Sequence, residues 1–228
     1  MENYANSLEY KKYLEQFNYI FRKTYYKNDN KIILYNNYNL SIKKYNHIYT
    51  IGKNYKKSVD CFEINLKKYN EIIFKTRTVF GIPFFQYIKH KNNNEYFICG
   101  NDLLDFLVYN ITKNEEYKYV NEYMINDNYE GNCNNEFLYI TEWKYNKNNN
   151  FVAINGYDGY SNIITIGDFS KPEKLPYNFQ WLSPKEYGFE NCTAIGWLED
   201  NNLSVLTDGS KSIIITKNEI KNILKNNR

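Results

Sequence analysis

The sequence predicts an all-β fold: antiparallel meander repeats set side by side as a propeller-like or partly open β array, with a short helix at each end. Three observations predict it. Asparagine clusters recur directly in front of apolar runs, as in NKNNNFVAINGYD at residues 146–158. Those runs are short and rich in Ile, Val, Phe and Tyr, which favour or tolerate a pleated strand. The text between them is Asn, Asp and Gly, residues that accept positive φ and so make turns.

The pattern begins in YIFRKTYYKNDNKIILYNNYNLSI (19–42) and returns in FFQYIKHKNNNEYFICGNDLLDFLVYN (84–110). It appears again in YITEWKYNKNNNFVAINGYDGYSNIITIGD (139–168) and CTAIGWLEDNNLSVLTDGSKSIIITKN (192–218). Taking Asn30, Asn94, Asn150 and Asn202 as anchors, the spacings are 64, 56 and 52 residues. Each copy reads as strand, Asn turn, strand, second turn, strand. Asn155-Gly156 and Asp208-Gly209 are the expected second turns, because such pairs suit tight hairpins. Fourth strands are expected at Ile72–Lys75 and Glu116–Val120, and 55–80 reads as two strands. The units fall near 19–75, 80–122, 136–180 and 190–216. A lone meander leaves one face bare, so four must stack to bury a core, as propeller blades do.

The two ends carry helix signals. NSLEYKKYLEQF puts Asn6 at an N-cap with Glu9 three residues on. Leu8, Tyr10, Leu14 and Phe17 then form an apolar stripe. TKNEIKNILKNNR has Thr216 and Glu219 at capping-box spacing, with Ile220, Ile223 and Leu224 on one face, and predicts a helix over 217–227. Neither helix is long enough to hold alone, so both should dock on the β core. No flexible linker interrupts the chain, and residues 1–228 are expected to form one domain.

Composition narrows the class. Hydrophobic residues make up 43% of the 228 and aromatics 18%. A disordered chain lacks that much apolar surface, so a packed core is expected. The abundance of Asn, Lys, Tyr and Ile follows AT-rich codons, so it is discounted as a functional signal. Cys61, Cys99, Cys133 and Cys192 form no CxxC pair and read as small buried residues of a reducing compartment. No apolar leader and no long apolar run is visible, so a soluble, cytoplasmic protein with no membrane contact is expected. Charge is uneven: +7 over residues 1–75, +3 over 76–94, −11 over 95–210 and +4 over 211–228.

Chemistry is scarce. His47 and His90 are the only histidines, and no metal site or cofactor is expected from them. Phosphate-loop, dinucleotide, zincin and nucleophile-elbow motifs are absent. Asp102, Asp105, Asp127, Glu130, Asp158, Asp168 and Asp208 fall near turns, where carboxylates mainly serve the turn. DNYEGNCNNE (127–136) lacks the spacing of a Ca²⁺ loop. KKYNHIYTIGKNYKK (43–57) interleaves Lys and Tyr as a nucleic-acid surface would. The acidic middle of the chain weighs against that partner.

Aromatics in loops are the better lead. NGYDGYSN (155–162) places Tyr157, Asp158 and Tyr160 together. The long connection LPYNFQWLSPKEYGFEN (175–191) supplies Trp181 and Tyr187. Loops on a rigid sheet are where binding residues gather, and Tyr and Trp beside carboxylates suit a basic protein partner. Trp143 and Trp197 fall in expected strands and read as core.

Residues 137–177 resemble a class of bacterial β-repeat proteins in which a strand, a turn and a second apolar strand precede a DFSxPxxLP segment. The matching residues are Asp168, Phe169, Ser170, Pro172, Leu175 and Pro176. The resemblance implies a β-repeat fold and, for some such proteins, an intracellular immunity or interaction role; it brings no catalytic residues with it. Together these features favour a non-enzymatic protein-binding protein, an immunity-type inhibitor or a defence or host-factor antagonist. Binding would use an acidic, aromatic loop surface. The alternative is a small-ligand sponge or carboxylate-based enzyme with a pocket on the repeat axis.

Overall fold

The computed structural model of the chain describes residues 5–12, 14–15, 25–35, 37–51, 55–79, 84–102, 105–120, 139–157, 160–174, 179–182, 187–208 and 210–225. It contains four antiparallel sheets, each a meander of strands adjacent in sequence. The first holds β1 (Tyr25–Tyr35), β2 (Tyr38–Ile51), β3 (Tyr55–Lys68) and β4 (Glu71–Val79). The second holds β5 (Phe85–Lys89), β6 (Glu95–Asp102), β7 (Asp105–Asn110) and β8 (Glu115–Val120). The third runs β12-β11-β10-β9, from β9 (Tyr139–Asn146), β10 (Phe151–Tyr157), β11 (Asn162–Asp168) and β12 (Phe179–Leu182). The fourth has three strands, β13 (Cys192–Trp197), β14 (Leu203–Thr207) and β15 (Lys211–Ile215). The sheets span 25–79, 85–120, 139–182 and 192–215.

The asparagine clusters are hairpin tips. Asn93, Asn150 and Asn201 sit at φ of 65°, 61° and 68°, the left-handed region that Asn enters more readily than other side-chain-bearing residues. The β5–β6 and β13–β14 tips share one hydrogen-bond pattern. His90 N–H donates to Asn94 O, Asn93 N–H to His90 O and Asn94 N–H to Asn92 Oδ1. Leu198, Asp200, Asn201 and Asn202 repeat it bond for bond. The β9–β10 tip, four residues long against five in the other two, closes through Asn150 N–H to Asn146 O at 2.9 Å.

Two expected anchors and turns fall elsewhere. Asn30 lies within β1, opposite Lys43, and is no turn residue. Asn155 and Gly156 lie inside β10, paired with Ile164 and Ile163. The Asn155 side chain has a tertiary partner, described below, that outweighs its local turn preference. Asp208, at φ 38°, does turn the chain between β14 and β15. The long connection 175–191 contributes the four residues of β12, paired with β11.

The sheets stack face to face in chain order, because strands alternate their side chains and the inner sheets are apolar on both faces. Tyr38, Leu40, Ile42, Ile64, Leu66 and Phe74 of the first sheet pack on Phe97, Cys99, Leu107 and Tyr109 of the second. The opposite face of the second sheet, with Tyr96, Ile98, Phe106 and Val108, packs on Trp143, Val152 and Ile154 of the third. Ile164 and Ile166 then meet Ala194, Leu203, Val205 and Ile215 of the fourth. Each such buried Ile, Leu or Phe contributes about 1.5–3 kcal/mol relative to exposure.

The C-terminal helix (Lys217–Lys225) seals the last interlayer with buried Ile220 and Leu224. Its capping box forms as expected: Glu219 N–H donates to Thr216 Oγ1, and Thr216 N–H to Glu219 Oε2 at 2.7 Å. Residues 8–12 and 14–15 are helical too. There the cap is Ser7, whose Oγ accepts Tyr10 N–H at 3.0 Å, and the expected Asn6 cap is displaced by one residue. Tyr10 is buried, while Leu8 is exposed. Among the described residues no helix is long and apolar enough to cross a membrane.

Because each sheet is one contiguous run, charge segregated in sequence stays segregated in space. The span of the first sheet, 25–79, carries 11 Lys and Arg against 4 Asp and Glu. The span of the second, 85–120, has 4 against 5, and that of the third, 139–182, has 4 against 4. The fourth with its helix, 187–225, has 4 against 5. One strongly basic sheet therefore adjoins three nearly balanced ones.

Candidate functional site

Three connections meet at one end of the third and fourth sheets. The β10–β11 loop supplies Tyr157 and Tyr160, the approach to β13 supplies Tyr187 to Asn191, and the β14–β15 turn supplies Asp208. Side chains tie them together. Asp208 Oδ1 accepts the backbone N–H groups of Glu190 and Asn191 at 3.1 and 3.0 Å. Asp208 N–H returns a bond to Asn191 O at 3.2 Å. Asn191 Oδ1 accepts Asn162 N–H at 2.9 Å, which fixes the loop just after Tyr160. A carboxylate accepting two successive backbone donors is a strong, directional clamp.

On this clamped end Tyr160 is 76% exposed. Glu190 and Asp208 are exposed beside it in the network. Tyr157 is half-buried at the end of β10, opposite Asn162. Tyr187 is half-buried against the interlayer of the third and fourth sheets, so its ring is partly committed to packing. The backbone of Trp181 pairs with Thr165 in β12. Asp158 lies outside the described residues. Tyr157, Tyr160 and Tyr187 thus stand at one end. Sequence reasoning missed Glu190 and Asn191, whose role depends on a partner, Asp208, 17 or 18 residues away.

The opposite strand ends carry two carboxylate–phenol clusters. Glu95 accepts Tyr38 Oη–H at 2.6 Å and Tyr87 Oη–H, bridging the first two sheets. Glu173 Oε1 accepts Tyr96 Oη–H at 2.7 Å and faces Lys113 Nζ at 3.4 Å. Burial opposes the charge on both carboxylates. The phenol donors, with nearby Lys68 and Lys89 for Glu95 and Lys113 for Glu173, outweigh it and hold both below the usual carboxyl range. Burial, reinforced by Glu173, pushes Tyr96 up to about 12. His90, also here, is buried, with Nε2 3.0 Å from Phe169 O and Nδ1 accepting Asn92 N–H. Both ring nitrogens are thereby occupied by the backbone.

The DFSxPxxLP stretch begins at the end of β11. Asp168 Oδ1 caps Ser170 N–H at 2.9 Å, while Phe169 and Pro172 are buried. Leu175 and Pro176 lie outside the described residues. Trp143 is buried in the core, and Trp197 is half-buried, donating to Lys144 O at 2.8 Å. Cys61, Cys99 and Cys192 are buried. Burial pushes the thiols of Cys61 and Cys192 up to about 11. Cys133, Asp127 and Glu130 lie outside the described residues. Among the described residues no three His, Cys, Asp or Glu side chains converge on a metal position. No protein-family model matches the chain, and no curated protein matches it either.

Proposed function

We propose that this chain is a non-enzymatic protein-binding protein that holds its partner at the clamped end of the third and fourth sheets. The observation that carries this reading is Tyr160, 76% exposed on a loop fixed through Asn191 and Asp208. An exposed tyrosine two residues before Asn162, whose N–H is held by Asn191, offers a large contact area with few rotatable bonds to order. Exposed Glu190 and Asp208 beside it favour a basic patch on the partner. The acidic character is local to these two residues.

Four carboxylates are shifted away from general-acid chemistry. Glu63, Glu95, Glu173 and Glu219 all sit below the ordinary carboxyl range. A general acid at neutral pH needs the opposite shift. Four stacked meanders suit a propeller-like scaffold of the kind used to present loops, and buried reduced cysteines suit a cytoplasmic setting. An immunity-type inhibitor or a defence or host-factor antagonist fits this description.

The test is a pull-down by the tagged full chain from its native source at low and high salt, beside Tyr160→Ala. Retention of one stoichiometric protein that high salt releases and Tyr160→Ala loses supports the proposal. Retention of nucleic acid, or of a protein indifferent to Tyr160→Ala, overturns it.

A further inference from the structure

Among the described residues the fourth sheet has three strands where the others have four, and its last strand, β15 (KSIII), pairs with β14 alone. An edge strand presents a row of backbone donors and acceptors, and proteins normally blunt such edges with charges, bulges or a covering element. The other seven edges are blunted. β1 has a register break between Tyr26 and Asn30. β4 carries Glu71, Lys75 and Arg77, and β8 carries Glu115, Glu116 and Lys118. β5 and β9 lie against each other, and the C-terminal helix lies against β12. β13 is bulged at Ala194/Gly196, and Asn155 takes both backbone groups of Ala194.

β15 has no bulge and, among the described residues, no element paired along its outer edge. Its register with β14 is continuous and it contains no proline. Lys211 is its sole charge and stands at its first residue. Lys211 and Ser212 are exposed and Ile214 is 58% exposed, an apolar side chain held on the outer side of this edge strand.

We infer that β15 is a strand-addition site, and that its occupant is an extended segment of another protein carrying β-branched residues flanked by acidic ones. This rests on the protein-binding reading above and specifies how a partner would be held. Backbone groups in a row select an extended strand. Charge selects its flanks. Lys211 opens the strand, and Lys217, Lys221 and Lys225 follow it, against Glu219 alone. In the register that sets Ile214 opposite Ile214, a second copy of this chain paired antiparallel through β15 would bring Lys211 of one copy toward Lys217 of the other. Like charges across a strand pair are destabilising.

The probe is a short synthetic peptide of alternating Val and Thr flanked by Glu, added to the full chain. Backbone amide exchange is read residue by residue. Binding should slow exchange at those Lys211–Ile215 amides that do not face β14. Ile214→Lys, at an exposed position, should weaken the peptide about tenfold, the loss typical of one removed hot spot, with an unchanged unfolding midpoint. The same peptide N-methylated at alternate residues should fail to bind, which isolates the backbone row from side-chain stickiness. Binding that survives N-methylation, or protection appearing only outside β15, overturns the inference. So does protection of β15 without peptide that grows with protein concentration, because the occupant is then a second copy. The Tyr160→Ala pull-down reports on the clamped loops and the peptide on the edge, so failure of one is distinguishable from failure of the other.

Discussion

The side chain of Asn155 pairs with the backbone of Ala194 as a strand would: Ala194 N–H donates to Oδ1 at 2.7 Å and Nδ2 donates to Ala194 O at 3.0 Å. Asn155 is in β10 and Ala194 in β13, so one amide side chain joins the third sheet to the fourth at the bulge of β13. Both residues are buried. Asn155→Leu keeps the size and removes both bonds, leaving two backbone groups without water or partner. Each such group costs about 1–3 kcal/mol. Urea denaturation should show the midpoint falling with the slope unchanged. Asn155→Asp should be at least as damaging, because it cannot donate to Ala194 O and puts a charge near Glu142, 3.3 Å from Nδ2 in the native chain.

Stability should fall with acid, and the sign follows from the carboxylates. Glu95 and Glu173 are held below the ordinary range in the folded chain. Their stabilisation is complete above the unfolded pKa of about 4.3 and is lost as pH falls through the lower folded values. Tyr96 is raised to about 12, so its contribution is complete below the unfolded value of about 10 and fades as pH rises through the folded one. Unfolding midpoints should form a plateau between these limits. Glu173→Gln should lower the plateau and flatten the acid limb; an acid limb as steep as that of the native chain would refute the assignment.

The β3–β4 turn should be improvable. Tyr69 and Asn70 both have positive φ, 48° and 71°, as a two-residue hairpin with the mirror-image turn demands. Asn suits that geometry, but a bulky Tyr is strained there. Tyr69 is also 77% exposed, with Lys68 Nζ 5.8 Å from its ring as a weak compensation. Relief of the left-handed strain, about 1–2 kcal/mol, exceeds the extra chain entropy of glycine, about 0.5–1 kcal/mol, so Tyr69→Gly should raise the unfolding midpoint.

The C-terminal helix depends on its cap. Thr216→Ala removes the acceptor for Glu219 N–H and should cost about 1 kcal/mol. The loss should appear first as faster amide exchange in 217–225. Glu219 is held low by its bonds to Thr216, so the cap is intact above the unfolded carboxyl pKa and weakens as pH falls.

What the sequence by itself determined was local. The hairpin tips at the Asn clusters ahead of β6, β10 and β14, the meander organisation, the two strands of 55–79 and the Thr216–Glu219 box all rest on interactions within a few residues. Residue type and spacing therefore suffice to place them. What only the tertiary structure decided depends on partners distant in sequence. Asn155-Gly156 has the chemistry of a turn, yet Ala194, 39 residues on, draws Asn155 into a strand. Asp208 has the chemistry of a turn and makes one, but its carboxylate also clamps Glu190 and Asn191. Tyr157 and Tyr187 both read as loop aromatics, and packing against neighbouring sheets decides how much of each ring remains exposed. β15 reads as an ordinary strand, and only the strand order of its sheet places it at an edge among the described residues. Local propensities are worth a few tenths to about 1 kcal/mol per residue. A buried, doubly bonded amide is worth more, so packing prevails wherever the two conflict.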